Sequence, residues 1–196
     1  FNSDSPGAQR AAQVRSQLEE QIPDAWRGQQ RVLETLQQTL PELIIAGDST
    51  QPVYSGNFLY ESSRPRAWFN SSTGYGTLGY GLPAAIGAKL AAPERPVVAL
   101  IGDGGIQFTL PELASAIEAN APIIVLLWNN SGYGEIKRYM EDRDIPTIGV
   151  DIYTPDFLAL AKGFGGHAER AESFAHLREL LLSAAQSDRP TVIEVQ

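Results

Sequence analysis

The chain of 196 residues contains no cysteine, which excludes disulfides, thiolate metal sites and cysteine nucleophiles. Its two histidines, His167 and His176, leave little material for a histidine-built metal centre or catalytic dyad. Apolar runs are short, and none approaches the roughly 18 residues that a membrane-spanning helix needs. No signal-peptide pattern is visible. Positive charge is scarce: 15 Lys and Arg stand against 23 Asp and Glu, a formal net charge of -8. That balance argues against nucleic acid or an anionic membrane as the main partner. An acidic, cysteine-free chain fits the cytoplasm.

What is present reads as an ordinary globular composition, with a hydrophobic fraction of 43% and a charged fraction of 19%. The length gives room for one domain of comfortable size. The opening at Phe1, followed by a polar stretch entering a helix, reads as a piece of a longer protein, with ordinary N-terminal processing as the alternative. Residues 1–26 are expected to be a linker and leading helix, and residues 27–196 the domain proper.

Along the chain, helices are expected over 9–21 and 27–40, a short buried strand over 43–46, and an irregular aromatic-rich stretch over 55–73. A glycine-rich turn, Gly74 to Gly81, feeds the helix "LPAAIGAKLAA". A strand over 97–101 runs into a Gly102-Asp103-Gly104 loop. Thr109 and Glu112 have the spacing of a capping box, which predicts a helix ending near Asn120. A strand over 123–128 is closed by Asn129-Asn130-Ser131-Gly132. Helices are expected from Tyr133, from Thr154-Pro155 to Gly163, and after a Ser173 cap, with a final strand over 191–195. Apolar strands alternating with helices predict an α/β fold: a three-layer, doubly wound domain whose mostly parallel sheet is flanked by helices. Ligands in such folds bind at the carboxyl ends of the strands, where the glycine-, Asp- and Asn-rich loops fall.

Gly102-Asp103-Gly104-Gly105 alone is an ordinary tight turn, or a place where backbone N–H groups approach an anion. Asn130 closes the next strand in sequence. If those strands are neighbours, Asp103 and Asn130 converge, and one carboxylate oxygen with one amide oxygen suits a hard divalent cation. Mg²⁺ takes few protein ligands and completes its shell with water and phosphate oxygens. The pair therefore points to a metal holding a diphosphate, against the alternative of two unrelated loop caps.

These loops, in order with "GYGTLGYGLPAAIGAKLA", resemble the cofactor-binding segments of thiamine diphosphate-dependent enzymes. The likeness is to the group containing acetolactate synthase, benzoylformate decarboxylase and pyruvate decarboxylase. It covers roughly residues 27–196 and matches the carboxy-terminal, diphosphate-binding domain. The resemblance implies thiamine diphosphate and Mg²⁺ as cofactors and a 2-oxo acid as substrate. Asp103 and Asn130 would bind the metal through side chains and Gly132 through its carbonyl. Gly102, Gly104 and Gly105 would turn backbone N–H groups toward the diphosphate, and the helix opening at Tyr133 and Gly134 would add its positive end. Gly76 would accept a hydrogen bond from the aminopyrimidine. Leu78, next to Thr77 in the same cofactor-binding segment, would be the wedge between the two cofactor rings. Asp48, Ser49, Thr50 and Gln51 align with a more variable segment that touches the diphosphate.

Glu135 and Ile136 fall where the family lines its substrate pocket. Pyruvate decarboxylase-like members carry a catalytic glutamate at the position of Ile136, so one proton donor is missing here. Glu135 is either a helix charge facing solvent or a partner for a cationic substrate tail such as a guanidinium. "GEIKRYM" also resembles the arginine-derived 2-oxo acid decarboxylases. The family's activating glutamate lies in an amino-terminal pyrimidine-binding domain, normally of a partner subunit. That domain and a middle domain are expected to be absent from this chain. The chain alone would then be inactive and contain no catalytic residue, half of a site completed in a homodimer or homotetramer. The aromatic stretch Tyr54 to Phe69 is a candidate for that contact. Acetolactate synthase remains the main alternative to a decarboxylase.

Two remoter readings fit less well. A haloacid dehalogenase-type phosphatase needs an Asp two residues after its nucleophile, and after Asp48 that place holds Thr50. An inactive nucleotide-binding module would need its glycine motif directly after a strand. Gly74-Tyr75-Gly76-Thr77-Leu78-Gly79 fits that spacing, but no strand is expected before it.

Overall fold

The computed structural model describes residues 5–196. Part of the expected leading linker, residues 1–4, lies outside that range. Nine helices and six strands follow one another among the described residues: α1 (Pro6–Glu20), α2 (Asp24–Thr39), β1 (Ile44–Gly47), α3 (Gln51–Leu59), β2 (Trp68–Asn70), α4 (Gly81–Ala91), β3 (Val97–Gly102), α5 (Asp103–Ile106), α6 (Glu112–Glu118), β4 (Ile124–Trp128), α7 (Gly134–Glu141), α8 (Phe157–Gly163), β5 (His167–Arg170), α9 (Phe174–Ala185) and β6 (Thr191–Val195). The strands form one sheet in the order β2-β1-β3-β4-β6-β5, parallel throughout. This is the doubly wound three-layer fold that the sequence predicts.

The continuous apolar character of β3 and β4 follows from burial on both faces. Alternate side chains of β3, Val97, Ala99 and Ile101, join Leu82 and Ile86 of α4, Leu113 of α6 and Phe157 of α8 in one core. Val98 and Leu100 point the other way, against Leu33 and Leu36 of α2, Val53 of α3 and Leu177 and Leu181 of α9. The helix α1 buries none of its residues and is held to the segment that follows α3 by an Arg15–Glu61 ion pair.

The chain leaves β1 toward the α2/α9 face, through α3, and leaves β3 toward the opposite face, through α5 and α6. Neighbouring strands whose exits diverge open a crevice at their carboxyl ends, where α/β sheets bind ligands. The register Gly102↔Trp128 brings the loop after β4 level with the loop after β3.

Several local expectations are corrected. The stretch 55–73 is irregular only over 60–67: α3 occupies its start, and β2 with a 3-10 turn over Ser71–Thr73 its end. Its aromatics explain why, since Tyr60 stacks on Trp68 at 4.8 Å and Trp26 of α2 meets Phe58 at 5.7 Å. A strand therefore does precede Gly74, with the 3-10 turn between them. The short edge strand β5 was not anticipated. Gly102-Asp103-Gly104 is not a loop, because α5 begins at Asp103 directly after β3. Thr109 does not cap α6. Its hydroxyl donates at 3.0 Å to the carbonyl of Gly79, a residue at φ 86, and so satisfies a backbone acceptor in the glycine turn instead. The Ser173 hydroxyl does cap α9, accepting from the His176 N–H at 3.1 Å.

Candidate functional site

Four segments meet over the carboxyl ends of β1, β3 and β4 and enclose a cavity of about 210 Å³. Ser49, Thr50 and Gln51 reach it from the β1 exit, Gly76 and Leu78 from the glycine turn, and Gly102 to Gly105 from the β3–α5 junction. Asn130, Gly132, Tyr133, Gly134, Glu135 and Ile136 close it from the β4–α7 connection. Asp48 and Thr77 are not on its wall: Asp48 is fully buried beneath it and Thr77 faces solvent. Tyr54 is on the wall and was missed. It lies one helical turn beyond Gln51 on α3, a spacing that would have found it had α3 been anticipated.

At the floor three oxygens crowd together. The Asn130 side-chain oxygen lies 2.8 Å from the Gly132 carbonyl oxygen and 3.1 Å from Asp103 Oδ1. All three are acceptors, with no hydrogen between them. The other carboxylate oxygen, Asp103 Oδ2, is buried without a hydrogen-bond partner. Burial pushes the Asp103 carboxyl above its ordinary range, against the opposing pull of the Gly104, Gly132 and Asn130 N–H groups. Such an acceptor cluster repels itself unless a cation or a proton enters it. One carboxylate, one amide oxygen and one carbonyl, in reach of solvent on the remaining sides, are the donor set of a hard divalent ion. Among the described residues there is no group of three or more His, Cys, Asp or Glu side chains suited to a metal, so a softer ion has no competing site of that kind.

Turning the Asn130 amide over would let its nitrogen donate to Gly132 O and Asp103 Oδ1. It would also set the amide oxygen 3.3 Å from Gln51 Oε1, so two short acceptor contacts would become hydrogen bonds and one longer contact would take their place.

The floor is anchored from behind. Asn129 Nδ2 donates to Glu194 Oε1 at 2.6 Å, and Arg170 grips Glu194 Oε2 at 2.9 and 3.0 Å. Asn129 Oδ1 accepts from the Ser131 N–H at 3.1 Å and holds Ser131 at φ 62. Glu194 is the single charge in the strand Thr191–Val195, an anomaly that could have marked it in the sequence.

Asp48 does a different job. Its Oδ2 accepts from the Gly81 N–H at 2.7 Å and its Oδ1 from the Ser49 N–H at 2.8 Å. It thus supplies the N-terminal cap that α4 lacks locally, since Tyr80 makes no side-chain cap. Desolvation raises its pKa, and the Gly81, Ser49 and Gly79 N–H groups oppose that rise.

The turn Gly74–Leu78 is tied to β1 by Ser49. Its hydroxyl lies 2.9 Å from the Gly76 carbonyl oxygen and 2.7 Å from Ser71 Oγ. Gly76 is at φ 66, a conformation open to glycine at little cost. Its carbonyl has a second lone pair free for another donor. Half-buried Leu78 projects from the same turn onto the cavity wall. Above the floor, the first turns of α5 and α7 present N–H groups without intrahelical partners, an environment for a polyanion.

Glu135 faces the cavity from α7 with both carboxylate oxygens engaged, Oε1 by Gln51 Nε2 at 2.8 Å and Oε2 by Arg138 Nη2 at 2.7 Å. Ile136 beside it is half exposed.

This geometry has relatives. Residues 48–195 match the family described as thiamine pyrophosphate enzyme, C-terminal TPP binding domain. The chain is 39% identical over 194 residues to a probable 2-ketoarginine decarboxylase of Pseudomonas aeruginosa, covering 98% of this chain and 34% of that protein. It is 34% identical over 155 residues to the benzoylformate decarboxylase of the same organism, covering 79% of this chain and 29% of the relative. Acetolactate synthase isozyme 3 large subunit of Escherichia coli is 36% identical over 161 residues, with 80% and 27% covered. A solved thiamine diphosphate-dependent 4-hydroxybenzoylformate decarboxylase of Rhodococcus jostii superposes with a TM-score of 0.76 at 30% identity, over 84% of this chain and 31% of that one. The chain thus spans about a third of the length of these relatives. The match over most of its length, with the cavity formed by the matching segments, shows that the chain belongs to the thiamine pyrophosphate enzymes, as their C-terminal TPP-binding domain.

Proposed function

We propose that this chain binds the diphosphate of thiamine diphosphate through Mg²⁺ within an enzyme that decarboxylates 2-oxo acids. The observation that carries the reading is the crowd of oxygens from Asp103, Asn130 and Gly132, which a divalent cation would turn from mutual repulsion into a ligand set. When bound, the cofactor supplies the carbanion that adds to a keto carbon and stabilises the charge left on loss of CO₂. The chain's own residues position it. N–H groups of α5 and α7 would face the diphosphate, Gly76 O would accept a hydrogen bond from the aminopyrimidine, and Leu78 would stand between the rings. The proton-activating glutamate is expected from another domain.

The exposed apolar side chains Tyr75, Phe108, Ile148 and Tyr153 lie on the connections that follow β2, β3 and β4. They are the better candidates for contact with a pyrimidine-binding domain of a partner subunit, in a homodimer or homotetramer. Of the aromatics from Tyr54 to Phe69, only Phe58 is largely exposed. No helix among the described residues is long and apolar enough to cross a membrane, and a cytoplasmic site of action is part of this reading.

The substrate we favour is a 2-oxo acid with a guanidino tail. Glu135 on the cavity wall already holds one guanidinium, that of Arg138, and a substrate tail would take its place. The likeness to a probable 2-ketoarginine decarboxylase extends over nearly the whole chain. Acetolactate synthase is the second reading, supported by a comparable likeness over a shorter stretch. Calorimetric titration of thiamine diphosphate with Mg²⁺, then with chelator, tests the cofactor. Heat that depends on the metal and disappears in Asp103→Ala is expected, and metal-independent binding would overturn the reading. In the whole protein, Glu135→Ala should abolish preference for a guanidino over a neutral 2-oxo acid. Unchanged discrimination would remove the guanidino assignment and leave the cofactor reading standing.

A further inference from the structure

We infer that Gln51 is a positioning residue: its side-chain amide fixes which way the Asn130 amide faces and so keeps an oxygen turned to the metal. The inference rests on the Mg²⁺ site proposed above and assigns Gln51 a role other than touching the diphosphate.

Three contacts account for both ends of the Gln51 side chain. Its Oε1 accepts from Trp128 Nε1 at 3.1 Å and from Asn130 Nδ2 at 3.3 Å. Its Nε2 donates to Glu135 Oε1 at 2.8 Å. The outer two partners cannot exchange roles. An indole nitrogen only donates, and an ionised carboxylate only accepts. Turned over, Gln51 would set its NH₂ against the Trp128 N–H and its oxygen against Glu135. Trp128 and Glu135 therefore fix the direction of the Gln51 amide.

That direction passes to the metal ligand. With Gln51 Oε1 facing Asn130, the Asn130 NH₂ finds an acceptor there, and a cation in the floor makes that the low-energy choice. Its oxygen then points at Asp103 Oδ1, 3.1 Å away, and at Gly132 O, 2.8 Å away. Without Gln51, nothing opposes the reversed amide, which would donate to both of those oxygens. The reversed form satisfies the empty floor and offers a cation two hydrogens in place of a ligand. Asparagine is a ligand with two faces, and this fold spends a glutamine, an indole and a carboxylate on choosing one. Gly134 leaves the room: a Cβ there would come within 2.6 Å of Asn130 Nδ2. Glu135, on the substrate side of the cavity, stands two hydrogen bonds from the metal ligand.

The test is a cycle built on aspartate, which has no amide to reverse. Mg²⁺ is titrated calorimetrically into the chain with thiamine diphosphate present, for wild type, Gln51→Ala, Asn130→Asp and the double variant. Metal-free melting is followed in parallel. Gln51→Ala should weaken Mg²⁺ by about tenfold or more, the usual effect of losing an outer partner of a metal ligand. In the Asn130→Asp background the same substitution should change affinity by less than about twofold, because aspartate offers the metal an oxygen whichever way it turns. Trp128→Phe, which keeps Gln51 but frees its amide to turn, should also weaken Mg²⁺ while leaving Asn130→Asp unaffected. Equal losses in both backgrounds would mean that Gln51 acts by touching the cofactor or by general support, and would overturn the inference. So would unchanged Mg²⁺ affinity in both Gln51→Ala and Trp128→Phe. Failure of the wild-type chain to take up Mg²⁺ with the cofactor, within the whole protein as well as alone, would instead overturn the proposed site itself, and the inference with it.

Discussion

Asp103→Asn should stabilise the metal-free chain and remove its response to metal, a reversal that follows from the floor of the cavity. In the wild type, Asp103 Oδ2 is buried without a donor, and Oδ1 faces another acceptor at 3.1 Å. Asparagine has nearly the same shape. Its NH₂, placed where Oδ1 now is, donates to the Asn130 oxygen and turns a repulsive contact into a hydrogen bond. It also removes a desolvated charge, the cause of the raised Asp103 pKa. Turning that Oδ1 contact into one hydrogen bond is worth about 0.5–1.5 kcal/mol. For chains of this size each kcal/mol moves Tm by about 2–4 °C, so the metal-free variant should melt several degrees higher. With Mg²⁺ and thiamine diphosphate at about a hundredfold above Kd, the wild type gains about 2.7 kcal/mol by linkage. The variant, lacking the carboxylate, should gain little. The two melting curves, run in chelator and in cofactor with metal, should therefore cross in rank. A variant less stable than wild type in chelator would show that the carboxylate is satisfied in the empty site. A retained metal shift would show that the ion is held elsewhere. Either result refutes the reasoning.

Gly134→Ala would press a Cβ to 2.6 Å from Asn130 Nδ2. It should weaken Mg²⁺ binding while metal-free stability holds or rises by about 0.5–1 kcal/mol, the usual gain over glycine in a helix. Ser49→Ala removes the bonds to Gly76 O and Ser71 Oγ. It should cost about 0.5–1.5 kcal/mol for each bond lost, and hydrogen exchange should speed up in the Gly74–Leu78 turn. Burial raises the carboxyls of Asp48 and Asp103 above the ordinary 3.8. In the window between 3.8 and those raised values the folded chain holds protons that the unfolded chain releases, so the contribution of these groups to stability falls as pH rises through it. Below 3.8 both states are protonated and the dependence from these two groups ends. Metal-free urea unfolding across this range should show the slope, and Asp103→Asn should flatten it.

The fold was legible because the sheet is buried on both faces. Runs such as Val97 to Ile101 and Ile124 to Leu127 can serve only a covered, parallel strand, and the loops that end them carry the residues of the floor. The stretch 55–73 was not legible, because what organises it is tertiary. The α3 helix has glycine and proline in its sequence and little amphipathic pattern, and it is fixed by packing on α2 and by the stacking of Tyr60 on Trp68. The network behind the floor escaped for the same reason. Trp128, Gln51 and Glu135 are 77 and 84 residues apart in their pairings, and no spacing rule joins them. Glu194 alone left a trace, as a charge in an apolar strand.

The two strand-end aspartates show where a sequence reading must stop. Asp48 and Asp103 each follow a glycine at the end of a buried parallel strand, are almost wholly buried, and have their carboxyls pushed up by desolvation. Residue type and position assign both to the cofactor. What separates them is the supply of hydrogen. Asp48 receives N–H groups from Ser49 and from Gly81, and Gly81 heads α4, which lacks a local side-chain cap. Its charge is spent within the fold. Asp103 Oδ1 faces the Asn130 oxygen and Oδ2 has no hydrogen-bond partner, although the Gly104, Gly132 and Asn130 N–H groups stand close enough to oppose the rise in its pKa. A fold keeps a buried carboxylate in that condition at a cost, and the cost is recovered only when something positive arrives. Substituting each aspartate by asparagine should divide them: Asp48→Asn sets an NH₂ against a backbone N–H and destabilises the empty chain, whereas Asp103→Asn stabilises it. Matching signs for the two would mean that the distinction drawn from their hydrogen-bond partners is wrong.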